Sequence, residues 1–321
     1  MADDPTAEGA LALAASASAE LALREALAHA RAFAHAARSE RTRDAYRYQW
    51  ARFEVRCEAH ALVPLPASRV WATEGVAVAT LAQALAAIGE AHRAMGHPPL
   101  RSAPELREVW KGIRRTLGAA PRRVAPLVVA ELRQLGGVLA PDSRIGRRDR
   151  ALLMVGFAAA LRRSEIVALD VPDLDFTADG LEVWLGRSKT DQEGQGARVG
   201  VPFGSDRATC PVRALRAWLE DAGLADGAVF RSVSRHGRLG GRLSDRDVAR
   251  IVQRTALRAG LDPARYAGHS LRAGLATSAA KAGKRDRAIM KQGRWRSRAM
   301  VDRYVRDATL LDDNAAAGIG L

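Results

Sequence analysis

The sequence predicts a mainly α-helical protein with two helical units, the second of which contains a small antiparallel sheet. Apolar residues recur three and four positions apart along most of the chain, which is the spacing of one helix face. A pair of short segments, residues 181–185 and 198–202, reads instead as strands flanking a loop with Gly194 and Gly196. A Pro- and Gly-containing segment, residues 118–126, shows no apolar period and separates the two units.

The first unit is predicted to span residues 39–120 as a bundle of helices. Tyr46, Trp50, Phe53 and Cys57 follow one another at helical spacing, so we interpret them as the core-facing stripe of its first helix. The remaining helices of this unit are predicted at about residues 76–95 and 103–117.

The second unit is predicted to span residues 127–321, after a linker at residues 121–126. Its helices are expected at about residues 128–139, 146–160, 211–222, 244–259, 269–282, 286–292 and 297–305. A C-terminal tail follows from about residue 306. At the other end of the chain, the Ala-rich residues 1–38 are predicted to be an N-terminal extension that forms either a frayed helix or no fixed structure.

Charge and composition limit the classes of function. The 321 residues include 50 Lys plus Arg and 36 Asp plus Glu, a formal charge of +14. A basic face in contact with water is the ordinary interpretation of such an excess. Here, however, the excess is concentrated in residues 41–130 and 231–306, and two basic blocks in a two-domain chain favour a nucleic acid held between them.

Several cellular contexts are disfavoured by the sequence. The longest uncharged stretch, residues 75–89, is shorter than the roughly 18 apolar residues of a membrane span. The chain starts with acidic residues and has only two cysteines, neither of which suits a secreted protein. We therefore expect a cytoplasmic protein that associates with the nucleoid in a bacterial, phage or plasmid context and does not bind membranes.

The candidate chemistry lies in side chains spaced along the second unit. His269 and Arg272 are three residues apart on a predicted helix and therefore point the same way. Arg162 and Glu165 have the same spacing, so the carboxylate could orient an arginine or the histidine. Tyr304 lies near the end of a predicted helix, nine residues after a tryptophan. Each of these residues alone is more often a packing or surface residue, and neither a phosphate-binding glycine loop nor zinc-ligand spacing is present.

Taken together and in this order, these residues resemble the tyrosine recombinase family, also called the phage integrase family. Residues 160–165 are similar to its first arginine box, residues 269–272 to its His-x-x-Arg box, and Tyr304 to its nucleophile. Lys189 lies in a predicted hairpin like the one that carries the family's lysine. Trp295 stands where many members have histidine, and this feature is similar to the Cre-like members. The resemblance covers about residues 39–310.

The resemblance implies a site-specific DNA recombinase that cleaves and rejoins duplex DNA through a covalent 3′-phosphotyrosine, without a metal ion, ATP or other cofactor. The resemblance assigns the role of nucleophile to Tyr304, that of general acid for the departing 5′ oxygen to Lys189, and that of proton-transfer partner to His269. The first unit is then a core-binding, DNA-binding domain and the second the catalytic domain. The implied catalytic set is Arg162, Glu165, Lys189, His269, Arg272, Trp295 and Tyr304.

The chemistry itself explains why these residue types are needed. Arginine stays cationic and its planar fork can bind two phosphate oxygens, so Arg162 and Arg272 are assigned to the non-bridging oxygens. The indole N–H of Trp295 can donate a hydrogen bond but cannot titrate, which leaves proton transfer to His269 and Lys189. Glu165 is expected to hold the cluster in place as a supporting residue.

The expected partner is double-stranded DNA with specific recombination sites. The candidate DNA-contacting residues are Thr80, Gln83 and Arg93 in the first domain and Arg235 and Arg246 in the second. We expect a homodimer on each site and a homotetramer when two sites are joined, with the C-terminal tail packing into a neighbouring subunit.

Three alternatives remain open at this point. A type IB topoisomerase shares the tyrosine, arginine, lysine and histidine chemistry but acts as a monomer. A sequence-specific DNA-binding regulator could keep the fold without catalysis, and a general Arg-rich RNA binder would explain the charge alone.

Overall fold

The computed structural model describes residues 39–64, 77–118, 124–186 and 196–308. Backbone contacts divide the chain into two compact units, residues 1–121 and 122–321. The predicted fold class is confirmed, because the described chain is mainly helical and its small sheets are antiparallel. Within the described ranges, no helix combines the length and the apolar character needed to cross a membrane.

The described part of the first unit contains the helices α1 (Glu40–Ala59), α2 (Val78–Ala94) and α3 (Pro104–Leu117). Ser39 caps α1, its side chain accepting a hydrogen bond from the backbone N–H of Thr42. Phe53 and Cys57 of α1 are buried against Ile88 of α2. The predicted apolar stripe of the first helix is therefore a core face.

The helices described in the second unit are α4 (Val129–Gly137), α5 (Arg144–Ala158), α6 (Arg163–Ala168), α7 (Pro211–Ala222), α8 (Asp245–Arg258), α9 (His269–Lys281), α10 (Asp286–Gly293) and α11 (Arg298–Ala308). Helix α5 is the centre of the main core, since the whole run from Ala151 to Phe157 is buried. Helix α6 was not predicted. Helix α11 continues beyond the predicted end at Val305 to Ala308.

A three-stranded antiparallel sheet packs on this core in the order β1 (Leu174–Phe176), β2 (Gly180–Leu185), β3 (Ala197–Pro202). Strands β2 and β3 are the two predicted strands, and Val183 pairs with Val199 on the buried face. Strand β1 was not predicted. Neither was a separate two-stranded ribbon, β4 (Arg231–Val233) with β5 (Leu239–Arg242).

Helix α9 is held in place by the segment that leads into the second unit. The backbone N–H of Leu127 donates to the carbonyl of Ser270 at 3.0 Å, and that of Ala125 donates to Arg265 at 2.7 Å. A side chain on Gly274 would lie 2.0 Å from the Leu127 oxygen, so only glycine allows this approach. The start of α9 is therefore fixed by backbone contacts.

Candidate active site

Six of the seven predicted catalytic residues meet in the second unit. The hydroxyl oxygen of Tyr304, in α11, lies 3.1 Å from Nε2 of His269 at the start of α9. The ring of Trp295 lies 5.7 Å from that of Tyr304, and the guanidinium carbon of Arg272 lies 4.3 Å above the Trp295 ring. Arg162, just before α6, is close enough to lower the pKa of both His269 and Arg272.

Glu165 is the carboxylate of this cluster, and its side chain is 5% exposed. One oxygen, Oε2, accepts the backbone N–H of Arg162 at 2.8 Å, and Oε1 accepts its guanidinium. Burial alone would raise the pKa of Glu165, but Arg294 and then Arg162 outweigh it, and the pKa is lowered. The carboxylate is therefore ionised at neutral pH and hydrogen-bonded to the guanidinium of Arg162.

Arg272 is almost fully buried, with 2% of the residue exposed. Its Nη1 donates to the carbonyl of Ala160 at 2.6 Å and its Nη2 to the carbonyl of Gly293. Burial, followed by repulsion from Arg162 and Arg294, lowers its pKa to about 10. The group is still cationic at neutral pH, and three of its five N–H donors lie outside these two bonds.

The pKa of His269 is lowered below its ordinary value, first by burial and then by four arginines, of which Arg272 contributes most. The imidazole is consequently neutral at pH 7. Because a neutral imidazole has one nitrogen free to accept a proton, its contact with the Tyr304 hydroxyl has the geometry of a base and a nucleophile.

Two glycines make room for the aromatic and arginine side chains of the site. A Cβ atom on Gly293 would lie 1.8 Å from the ring of Trp295, and one on Gly268 would lie 2.3 Å from the side chain of Arg163. The aliphatic part of Arg163 thus packs against the residue that precedes His269. Arg163 fills space there with its carbon chain, which is how long basic side chains are accommodated at partly buried positions.

Lys189 lies outside the described residues, as does the tail from residue 309. Strand β2 ends at Leu185 and strand β3 begins at Ala197, so Lys189 falls in the sequence between these two paired strands.

Four of the five predicted DNA-contacting residues are exposed on their own unit. On α2, Gln83 and Arg93 are exposed and Thr80 is half-buried, and Arg93 is paired with a carboxylate of the same helix. In the second unit, Arg246 is exposed in the first turn of α8. Arg235 is exposed in the turn of the β4–β5 ribbon, a position that the sequence analysis did not anticipate because the ribbon itself was missed.

Among the described residues, no three His, Cys, Asp or Glu side chains lie close enough together to act as metal ligands. The charges around Tyr304 are instead guanidinium groups and one carboxylate, a combination suited to an anionic substrate such as phosphate.

Arg294 belongs to this cluster and was not predicted. It directly follows α10, its side chain is 13% exposed, and its Nη2 lies 2.7 Å from Oε2 of Glu165. Its backbone is left-handed, with φ of 54°. In a chain this rich in arginine, the sequence offered no signal that would have separated Arg294 from its neighbours.

Comparison with known protein families matches residues 129–310 to the Phage integrase family. A relative over most of the chain is an integrase/recombinase XerD homolog of Selenomonas ruminantium. It is 36% identical over 290 residues, which is 87% of this chain and 85% of the relative. The tyrosine recombinase XerC of Xanthomonas axonopodis pv. citri (strain 306) is 36% identical over 143 residues, 44% of this chain and 41% of that protein.

Solved structures share the fold at low sequence identity. A lambda integrase dimer bound to a COC′ core site matches with a TM-score of 0.53 at 16% identity, covering 84% of this chain and 73% of that one. The XerH site-specific recombinase bound to its palindromic difH substrate matches with a TM-score of 0.52 at 15% identity, covering 75% and 69%.

Proposed function

This chain belongs to the phage integrase family and is a tyrosine recombinase, and on that premise we propose that Tyr304 cleaves DNA at specific sites as a 3′-phosphotyrosine. The observation that carries the proposal is the 3.1 Å contact between the Tyr304 hydroxyl and the neutral imidazole of His269, beside buried arginines. A covalent link to tyrosine conserves the phosphodiester bond energy. Rejoining therefore needs neither ATP nor a metal ion in this proposal.

In the proposed cleavage step, the Tyr304 oxygen attacks the scissile phosphorus and its proton passes to Nε2 of His269. The bond from phosphorus to the tyrosine oxygen forms, and the bond from phosphorus to the 5′ oxygen breaks. Lys189 donates a proton to the departing 5′ oxygen. Rejoining is the same step in reverse, with the 5′ hydroxyl of the incoming strand as nucleophile. The lowered pKa of His269 supports its role, since a protonated imidazole could not take the proton.

Arg162 and Arg272 are proposed to bind the non-bridging oxygens of the scissile phosphate. Both are held by hydrogen bonds in the described structure, Arg162 to Glu165 and Arg272 to two backbone carbonyls. Donors that are fixed before the substrate arrives stabilise developing charge most effectively. Trp295 is the Cre-like feature of the proposal. Its indole N–H donates a hydrogen bond to a phosphate oxygen and does not titrate.

We propose that the two units bind duplex DNA as a homodimer on each site and as a homotetramer when two sites are joined. The solved lambda integrase is a dimer on its core site and XerH is bound to a palindromic substrate, which supports the dimeric part of the proposal. The exposed positions of Gln83, Arg93, Arg235 and Arg246 support their assignment to DNA contacts. Thr80, half-buried on α2, is the fifth proposed contact.

The C-terminal tail is proposed to connect neighbouring subunits of this assembly. The second unit has an apolar groove of about 570 Å³, lined in part by Leu132, Phe157, Leu275 and Ile289. Residues 308–321 carry apolar side chains that could fill such a groove, namely Leu310, Leu311, Ile319 and Leu321. The tail of one subunit then docks into the groove of the next.

The test compares the wild-type protein with Tyr304→Phe on fragments of the DNA that flanks the gene. Denaturing gels detect protein that is covalently attached to DNA, in EDTA and without ATP. We expect an adduct with the wild type and none with the variant, although both bind the same fragment. A suicide substrate, which prevents rejoining, makes a transient adduct visible.

Other outcomes identify the alternatives. Tight and specific binding with no adduct, even on a suicide substrate, would indicate a non-catalytic regulator. Relaxation of supercoils by a monomer without strand exchange would indicate a type IB topoisomerase, and RNA competing as well as duplex DNA would indicate a general RNA binder.

A further inference from the structure

We propose that Arg294 is a positioning residue of the recombination reaction, acting through Glu165 to orient Arg162 and linking the Trp295 segment to the turn that precedes Arg162. The inference rests on the proposed function, since it assumes that Arg162 and Arg272 bind the scissile phosphate. Arg294 itself is not expected to touch the DNA.

The first observation is how Glu165 divides its oxygens. Oε1 accepts the Arg162 guanidinium, whereas Oε2 accepts both the backbone N–H of Arg162 at 2.8 Å and Nη2 of Arg294 at 2.7 Å. Arg294 therefore restricts the rotation of the Glu165 carboxylate, because it binds the oxygen that the Arg162 guanidinium does not bind. Without it, Oε2 would lose the one side-chain donor that the described residues provide, and the carboxylate that orients Arg162 would be less constrained.

The second observation is that Arg294 also binds the backbone just before Arg162. Its Nη1 donates to the carbonyl of Ala159 at 3.2 Å and its Nη2 to that of Ala160 at 3.3 Å. Arg272 donates to the same Ala160 carbonyl at 2.6 Å. Ala160 has a φ of 48°, an uncommon conformation for a residue other than glycine, and two arginines hold it there.

The third observation concerns the backbone of Arg294, which is left-handed at the end of α10 with φ of 54°. Glycine, or less often asparagine, is the residue that ends a helix in this conformation with least strain. An arginine here gains nothing as a helix cap over glycine. The contacts of its side chain explain better why arginine stands at this position. That side chain is buried against Glu165 and lies next to Arg272, which is proposed to bind phosphate.

Arg294→Gly is the informative variant, because glycine keeps the left-handed helix end and removes the side chain that contacts Glu165 and the Ala159 and Ala160 carbonyls. We expect its melting temperature to match or exceed that of the wild type, and its affinity for duplex DNA to be unchanged. The single-turnover cleavage rate should fall by about 10- to 100-fold, the loss typical of removing a residue that orients a functional group. Added guanidinium should restore part of the rate, since it can occupy the vacated position; a merely structural role would show no such rescue.

A double-mutant cycle with Glu165→Gln tests whether Arg294 acts through that carboxylate. If it does, the double variant should cleave no more slowly than the slower single variant. Additive losses, or wild-type cleavage by Arg294→Gly, would overturn the inference. Should the glycine variant fail to fold, Arg294→Lys decides. Lysine keeps the charge but loses the planar fork whose two nitrogens bind Glu165 and the Ala159 carbonyl separately. A wild-type rate would therefore overturn the inference, and a reduced rate in a folded, DNA-binding protein would support it.

Tyr304→Phe and Arg162→Ala separate this inference from the proposed function. If both cleave DNA as the wild type does, the proposed function is wrong. If both are inactive while Arg294→Gly is fully active, the proposed function stands and only the role of Arg294 is wrong.

Discussion

At the scale of single residues, the candidate site is a group of arginines that share one buried carboxylate. Arg162, Arg272 and Arg294 are all at least four-fifths buried, and Glu165 is the acidic group bonded to two of them. Buried charge without a full set of counter-charges is unfavourable in the absence of ligand. A phosphodiester would supply the missing negative charge, so DNA binding should stabilise this unit by an amount set by the DNA concentration and its affinity.

The pH dependence of cleavage should report His269. Its lowered pKa keeps it neutral at pH 7, so we expect the cleavage rate to fall only as the pH drops through a midpoint below the ordinary histidine value of 6.5. The pKa of Glu165 is also lowered from its ordinary value, which favours the ionised carboxylate. Single-turnover cleavage of a suicide substrate between about pH 5 and 8 measures the profile.

His269→Gln provides the control for this profile, since it should cleave slowly and without the acidic limb. A wild-type midpoint at or above 6.5 would contradict the assignment of a neutral His269 as proton acceptor.

Sequence reasoning reached the site residues whose spacing has a simple structural meaning. His269 and Arg272 lie three apart on a predicted helix, so this pair could be foreseen. Arg162 and Glu165 have the same spacing and were noted for it, although the short helix α6 that begins there was not predicted. Arg294 could not, because its role depends on a left-handed turn that brings it back to Glu165 across 129 positions of sequence.

At the scale of secondary structure, α9 organises the site because it touches both parts of the second unit's interior. Leu271 is buried in the main core, whereas Ala276 belongs to a separate small cluster with Ile289, Trp295 and Val301. The bond from Leu127 to Ser270 holds its N-terminal end, where His269 lies, and the bond from Ala125 to Arg265 holds the segment just before it. A shift of α9 would therefore move His269 and Arg272 together.

Gly274→Ala should test this packing. Alanine is the better helix former, but its Cβ would lie 2.0 Å from the Leu127 carbonyl oxygen, which is backbone and cannot rotate away. We expect the free energy of unfolding to fall by about 1–3 kcal/mol, as overpacking generally costs. Urea denaturation measures it. In the matched control Gly137→Ala, the new methyl group meets open space, so stability should be unchanged or higher by up to about 1 kcal/mol.

The elements that the sequence analysis missed are all short. Helix α6 has six residues, β1 and β4 have three each, and β5 includes two adjacent glycines. Segments of this length are too brief to display a helical or alternating period, and tertiary contacts decide their conformation. Strands β2 and β3, with six residues each and valines on the inward face, were long enough to be recognised.

The proposed role of Lys189, which falls between β2 and β3 in the sequence, can be tested with a modified substrate. Lys189→Ala should cleave normal DNA about 10²- to 10⁴-fold more slowly, as loss of a general acid does. It should cleave a substrate with sulfur at the 5′ bridging position at close to the wild-type rate, because a thiolate leaves without being protonated. Cleavage of both substrates under single-turnover conditions makes the comparison.

Lys281→Ala, an exposed lysine at the end of α9, serves as the matched control and should cleave both substrates normally. Equal impairment of Lys189→Ala on the two substrates would exclude the general-acid role.

At the scale of the whole molecule, two basic units on one chain suit a protein that surrounds a duplex. Phosphate contacts supply most of the affinity in such complexes, while a few side chains read the bases. The fold class and the catalytic family were accessible from sequence because the charge blocks, the apolar period and the ordered motifs agree. The apolar groove of the second unit was not accessible from sequence, because its lining residues lie on separate segments that only folding brings together.

Deleting residues 308–321 should separate assembly from binding. If the tail joins subunits, the truncated protein should bind a single DNA site with wild-type affinity and lose most of its ability to bring two sites together. Gel shifts with one-site and two-site DNA measure both properties. Replacing Leu310 and Leu311 by serine should have the same effect, whereas Asp312→Asn should not. Equal loss of both properties would argue against tail-mediated assembly.

The small cluster around Trp295 has a consequence for local stability. Helix α11, which carries Tyr304, is anchored in that cluster by Val301 and not in the main core. A helix that loses only a few buried contacts when it detaches can open at a free energy well below that of global unfolding. Backbone amides of residues 298–308 should then exchange with deuterium sooner than those of α5, and DNA should slow them selectively. The nucleophile would lie on a part of the protein that can withdraw and return while the remainder stays folded.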